Sequence, residues 1–257
     1  MSNLGQAVYV ETLKARRSRV SLFTALGIAL LPLAGGFFMF VLKDPELARR
    51  VGLISAKANL LVATADWPSY LGFLAQALAG GGLVLFGLVA SWVFGREYSD
   101  RTAKDLLALP TSRSVIVLSK FVVVAAWCVG LTAVVCLVGL GIGAAIGFPD
   151  VSNQVVLQGF GVLALIAGMV IALVTPIAFF ASAGHGYLAP MGVVFLILLL
   201  AQVTATAGWG EFFPWSIPLI YSQGVGLAPV SSVIVVLTSF AGIASTLIWW
   251  ERADHSR

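Results

Sequence analysis

Long apolar runs separated by short polar connections dominate the chain. Runs at least as long as the roughly 20 residues needed to cross the hydrocarbon core of a bilayer recur six times. None alternates cleanly in the way that the strands of about ten residues in a membrane barrel do. The pattern therefore predicts an all-α polytopic membrane protein that forms a single transmembrane domain over residues 1–257. The six predicted spans are 20–42, 69–94, 115–148, 155–183, 188–207 and 229–250. The third is longer than an upright helix requires, so it must tilt, project or break.

Two segments outside the predicted spans have distinctive compositions. Residues 1–19 are mixed and polar, end in a basic cluster and show a weak apolar face, which predicts an interfacial helix at the cytoplasmic surface, attracted to anionic lipid. A plain basic tail that only orients the first span is an equal alternative. The segment from Gly208 to Gly224 is rich in aromatics and prolines and nearly uncharged. It predicts an external re-entrant hairpin before the last span, with Trp209 and Trp215 as interfacial residues.

The stretch from Phe94 to Lys120 is the one long charged island. It holds eight of the 26 charged residues of the chain. Within it, Ser99 or Asp100 can cap a short helix that Pro110 ends, because proline lacks the backbone donor that the next turn needs. Apolar residues between them recur at helical spacing. The island therefore predicts a short amphipathic helix outside the membrane, between the second and third spans.

Composition agrees with this class of protein. The chain is 60% hydrophobic and 10% charged, with a mean hydropathy of +1.01, whereas soluble domains are about 25% charged. Placing both termini inside puts eleven of the fifteen basic residues on the cytoplasmic side, which favours that orientation. The net charge of +4 is thus explained by topology, and we expect no nucleic-acid partner.

Residues that could perform catalysis are scarce. The only histidines are His185, in a turn, and His255, in the tail, and the predicted spans contain no acidic residue. Acidic groups inside a membrane are the usual marks of proton relays and ion-coupled carriers. A phosphate-binding loop with its lysine is also missing, and Cys128 and Cys136 have no neighbouring histidine with which to form a metal site. We therefore expect a non-catalytic membrane subunit with no cofactor or metal of its own.

The charged island also resembles a known family. REYSDRTAKDLLALPTSRSVIVLSK is similar to the cytoplasmic segment of ABC-2 type transporter permeases, in which an acidic residue, a threonine, a leucine pair, a proline and basic residues recur. The matching positions are Glu97, Thr102, Leu106, Leu107, Pro110, Arg113 and Lys120.

The resemblance implies the membrane subunit of an ATP-binding cassette exporter in a bacterial or archaeal cell membrane. ATP and Mg would bind a separate ATPase subunit, and two permease chains, a homodimer in preference to a heterodimer, would enclose the path among membrane lipids. The helix from Ala103 to Leu109 would couple the two subunits. The predicted coupling residues are Glu97, Arg101, Thr102, Lys104, Asp105, Leu106, Leu107, Pro110 and Arg113.

The same resemblance makes the aromatic hairpin part of an outer gate, formed by Trp209, Glu211, Phe212, Phe213, Pro214 and Trp215. The cargo stays open among antibiotics, peptides and lipid-like molecules. Two other functions remain as alternatives. One is a non-transporting scaffold or assembly factor that anchors a cytoplasmic partner, and the other is a membrane-embedded enzyme that would need His185.

Overall fold

The structure is a computed structural model that describes residues 3–44, 64–100, 102, 111–149 and 152–252. Within these ranges every regular element is helical, so the predicted all-α class is confirmed. The α-helices are α1 (Asn3–Arg17), α2 (Arg19–Lys43), α3 (Trp67–Ser99), α4 (Arg113–Ile146), α5 (Asn153–Leu173), α6 (Thr175–Ala183), α7 (Leu188–Thr206), α8 (Ile217–Ser222) and α9 (Pro229–Arg252). A 3₁₀ turn at Pro214–Ser216 precedes α8.

Six helical stretches in the described residues are long and apolar enough to cross a membrane. They are α2, α3, α4, the pair α5 and α6 taken together, α7 and α9. With 33 and 34 residues, α3 and α4 are about 50 Å long. The hydrocarbon core is only about 30 Å thick, so the ends of these two helices project from it or the helices tilt. The third predicted span, which had to tilt, project or break, is one continuous helix in the structure.

Helix α3 lies at the centre of the bundle. Of its 18-residue apolar stretch, 61% is buried, against 22% for α7 and for α9. Helices α2, α4, α5, α6 and α7 pack around it. Close packing with α4 depends on Gly143, where an added Cβ would lie 2.4 Å from the Trp67 ring.

Local signals fix several helix ends. The Ser18 hydroxyl accepts a hydrogen bond from the Val20 amide at 3.0 Å and separates α1 from α2. The Asp66 carboxylate accepts from the Ser69 amide at 2.9 Å and caps α3. Gly147 ends α4 with a left-handed φ of 64°.

The bundle has two chemically different ends. The basic end carries the last turn of α1, the last turns of α3 and α9, and the first turn of α4, with Arg17, Arg96, Arg252 and Arg113. The opposite end carries Asp66, Gly147, and the segment from Gly208 to the start of α9. Of the predicted coupling residues, the described ones, Glu97, Thr102 and Arg113, belong to the first end, and the predicted gate residues belong to the second.

Candidate functional site

Four charged side chains meet inside the basic end and join three helices. The Lys120 Nζ of α4 donates to Glu97 Oε1 of α3 at 2.7 Å and to Glu11 Oε2 of α1 at 3.2 Å. The Lys14 Nζ of α1 contacts the same two carboxylates, at 2.6 Å from Glu11 Oε1 and 3.2 Å from Glu97 Oε1. We call Glu11, Lys14, Glu97 and Lys120 the charge cluster. Its formal charge is zero.

Three members of the charge cluster are almost closed to solvent, and Lys14 is partly exposed. The Lys120 side chain is 0% exposed and that of Glu97 is 4% exposed. Lys120 uses its third donor on the Val93 carbonyl at 2.9 Å, so all three of its N–H groups are bonded. A buried charge is costly unless it is paired and hydrogen-bonded. The two carboxylates are thus the reason that Lys120 can lie in the interior.

One acceptor of the charge cluster is left over. Glu97 Oε2 is buried and has no hydrogen-bond partner among the described residues. Because Oε1 already accepts from both lysines, the carboxylate as a whole remains compensated.

Helix α1 supplies its two members of the charge cluster from one face. Glu11 and Lys14 are three residues apart, the spacing at which helical side chains adjoin. Burial lowers the pKa of Lys14, but the Glu11 and Glu97 carboxylates raise it, and the net result lies above the ordinary value. Lys14 therefore stays charged at neutral pH, and α1 is held to α3 and α4 by ion pairs.

The chain leaves α3 directly beside the charge cluster. The Thr102 amide donates to the Glu97 carbonyl at 2.9 Å, and Arg96 Nε lies 3.3 Å from Asp100 Oδ2. Thr102 is exposed. The predicted Ala103–Leu109 helix falls outside the described residues, as do the coupling residues Arg101, Lys104, Asp105, Leu106, Leu107 and Pro110.

Helix α4 begins at Arg113, which contacts the end of α9. Arg113 Nη1 donates to the carbonyls of Trp250 at 3.1 Å and Glu251 at 3.3 Å. The Ser114 hydroxyl donates to Glu251 Oε1 at 2.7 Å. A cation favours the negative end of a helix dipole, so this contact stabilises the junction of α4 and α9. We call residues 100–112 the connecting segment, which runs from the charge cluster to this junction.

The turn between α6 and α7 packs against the same end of α3. An added Cβ at Gly95 would lie 2.8 Å from the Gly186 carbonyl carbon, so only glycine allows this approach. The Tyr98 ring meets the His185 ring edge-on at 5.0 Å and the Trp250 ring at 6.2 Å. His185, on which the enzyme alternative depended, thus lies in a ring contact at the turn.

The described members of the predicted coupling set, Glu97, Thr102 and Arg113, lie at the two ends of the connecting segment. Glu97 was expected among contacts exposed to a partner, but its side chain is buried in the charge cluster. Glu11 and Lys14 were not predicted. Their charged pair at i and i+3 on a helix with apolar neighbours was the available signal, but nothing in the sequence indicated its distant partners.

At the opposite end the predicted gate residues lie together in one turn before α8. Trp209 and Phe212 are 70% and 63% exposed, and Glu211 is half-buried. Phe213 and Trp215 contact each other with ring centres 5.5 Å apart, and Pro214 begins the 3₁₀ turn. The Glu211 carbonyl accepts from the Ser231 hydroxyl of α9 at 3.2 Å, which ties the turn to the last helix.

This turn also contacts a break in the fourth span, which the sequence prediction treated as one uninterrupted helix over 155–183. The helix stops at Leu173 and resumes at Thr175, because Pro176 has no N–H to donate. The Thr175 hydroxyl donates to the Ala172 carbonyl at 2.8 Å, and the Trp215 indole donates to the Leu173 carbonyl at 2.9 Å. Carbonyls freed by the break are thus satisfied partly by the predicted gate.

Six apolar helical stretches in the described residues, with α3 buried at their centre, define a multi-pass integral membrane protein. A family model described as ABC-2 family transporter protein matches residues 7–202, and the chain belongs to that family. The chain is also 27% identical over 177 residues to the bacitracin transport permease protein BCRB of Bacillus licheniformis. That alignment covers 67% of this chain and 85% of the relative. The resemblance seen in residues 97–120 is confirmed, and the chain is a transporter membrane subunit.

Proposed function

We propose that the chain is the membrane subunit of an ATP-driven exporter and that a separate ATP-binding cassette subunit docks on the connecting segment. ATP and Mg would be bound and used on that partner. Membership of the ABC-2 family supports association with such an ATPase. Both termini and the basic end would face the cytoplasm, in line with the excess of basic residues there.

The observation that carries this proposal is that both sides of the connecting segment are anchored. On one side the charge cluster binds α1, α3 and α4 together. On the other side Arg113 binds the end of α9. A partner that moved the segment would therefore act on four helices at once.

We also propose that the turn formed by residues 209–215, at the opposite end, is part of an outer gate that enters the membrane from outside. Trp215 bonds to Leu173, the twenty-first residue of α5, so the turn reaches about 30 Å along that helix from its start.

A second copy of the chain would complete the path, and we favour a homodimer. The name of the relative mentions bacitracin. An amphipathic peptide antibiotic is accordingly the cargo that we would test first, followed by lipid-like molecules.

The decisive experiment changes the leucine pair of the connecting segment. L106E/L107E should insert normally but lose both the copurifying ATPase and substrate-stimulated ATP hydrolysis in reconstituted vesicles. L4E, an exposed leucine of α1, is the control and should retain both. Transport that persists in L106E/L107E would refute the docking assignment. Partner binding without any substrate-stimulated hydrolysis in the unmodified protein would favour the scaffold alternative.

A further inference from the structure

A cavity of about 510 Å³ lies at the basic end between α1, the last turns of α3 and the turn before α7. Its polar lining includes Lys14, Arg17, Arg96 and Asp100. Its apolar lining includes Leu13 of α1 and Trp92 of α3. We infer that this cavity binds the headgroup phosphate of an anionic phospholipid. The inference does not depend on the direction of transport or on the cargo.

The charges of the cavity leave one cation uncompensated. Lys14 is neutralised within the charge cluster, and Arg96 is paired with Asp100 at 3.3 Å while it lies 5.0 Å from the centre of the Trp92 ring. Arg17 is exposed and has no hydrogen-bond or ion-pair partner among the described residues. A phosphodiester carries one negative charge, so its charge matches that of the free guanidinium. A planar guanidinium also suits two phosphate oxygens at once.

The location of the cavity favours a lipid as the ligand over a soluble anion. Trp92 lies seven residues before the end of α3, about 10 Å inside it. Val10 lines the cavity and is 49% exposed, so apolar surface continues from the cavity to the outside of the bundle. Tryptophan near the end of a membrane helix marks the headgroup level. A molecule with an anionic head and an apolar body therefore fits both walls.

Arg16 provides a matched control for Arg17. Both are exposed arginines of α1 without a partner in the described part of the chain, but Arg16 lines a different and largely apolar cavity with Val122 and Trp127. General attraction between a basic helix and an anionic surface would be weakened equally by R16Q and R17Q. A specific site would be weakened only by R17Q.

The test is native mass spectrometry of the full chain in a neutral detergent, titrated with phosphatidylglycerol or with phosphatidylcholine of the same acyl chains. We expect phosphatidylglycerol to bind more tightly, R17Q to weaken that binding about fivefold, and R16Q to leave it within twofold. Equal weakening by R16Q and R17Q, or equal binding of the two lipids, would overturn the inference. Inorganic phosphate is added as a competitor. Displacement of the lipid by millimolar phosphate would assign the cavity to a soluble anion and overturn the choice of lipid, whereas its failure to compete supports that choice.

Discussion

Replacing Lys120 with methionine would remove the buried cation of the charge cluster while keeping most of the side-chain volume. Three acceptors lose a donor: Glu97 Oε1 at 2.7 Å, the Val93 carbonyl at 2.9 Å and Glu11 Oε2 at 3.2 Å. Glu97 would keep only Lys14, at 3.2 Å, and its second oxygen is already unpartnered among the described residues. The variant therefore leaves a buried carboxylate under-compensated.

The expected cost follows from that loss. Removing one partner of a buried ion pair destabilises a protein by about 3–5 kcal/mol, because the remaining charge stays out of water. Exposed pairs are worth only about 0–1 kcal/mol. With Lys120 fully buried and Glu97 nearly so, we expect K120M to lose about 3 kcal/mol or more of unfolding free energy. Replacing the carboxylate as well, in K120M/E97Q, should recover at least about 2 kcal/mol, because no charge is then stranded.

The measurement is an SDS titration of the purified protein in mixed micelles, followed by tryptophan fluorescence. K43M is the control: Lys43 donates to the Ile146 and Gly147 carbonyls at 2.6 and 2.9 Å, but these contacts are exposed. A cation at a helix end contributes only about 0.3–1 kcal/mol. If K120M cost no more than K43M, or if K120M/E97Q were no more stable than K120M, the charge cluster would not have the energetic role argued here.

Three further predictions concern other contacts. W215F keeps an aromatic ring of smaller size but removes the donor to the Leu173 carbonyl, so it should cost about 1–3 kcal/mol in the same titration. W209F makes the same change at a residue that is 70% exposed and should alter stability by less than about 0.5 kcal/mol. G242A would place a Cβ 2.4 Å from the Pro176 nitrogen, so the melting temperature should fall clearly. G168A adds a Cβ in open space and should leave the melting temperature unchanged or slightly higher. Burial raises the pKa of Asp66, but hydrogen bonds from Thr64 and Ser69 lower it to a net value below the ordinary one. The stabilising charge of Asp66 is therefore present at neutral pH and is lost as the pH falls through the folded pKa. D66N still caps α3 but does not titrate, so it should flatten the dependence of the melting temperature on pH below about 4.

The apolar helices were predictable because a helix that crosses a bilayer needs about 20 mostly apolar residues in succession. The predicted boundaries at Ala183, Leu188 and Pro229 are also observed helix boundaries, and all the others but one differ from a helix end by one or two residues. The largest difference is at the second span, which was predicted to end at Phe94, whereas helix α3 ends at Ser99. The apolar pattern indicates where hydrocarbon ends, not where a helix ends. Here α3 continues for five residues beyond Phe94, and one of them, Glu97, is paired inside the protein.

The contacts that build the two candidate sites were much less predictable. Pro176 was visible in the fourth span, but the indole that bonds to the freed Leu173 carbonyl belongs to Trp215, which is 42 residues from Leu173 along the chain. Lys120 and Glu11 are 109 residues apart, and no local pattern links them. Sequence reasoning identified the charged island as important without showing which of its charges face inward. The predicted coupling helix itself lies outside the described residues.

Helix α9 connects the two ends of the molecule through contacts that the structure describes. Its last turn accepts hydrogen bonds from Arg113, at the end of the connecting segment. Eight residues earlier, Gly242 packs against the backbone of Thr175 and Pro176, and the Ser239 carbonyl accepts from the Thr175 hydroxyl at 3.0 Å. The break at that point bonds in turn to Trp215 of the predicted gate. Because α9 is one unbroken helix, a displacement of its end at the junction also displaces the surface on which the break rests. A partner acting on the connecting segment would thus have a route to the predicted gate through α9 and the broken fourth span.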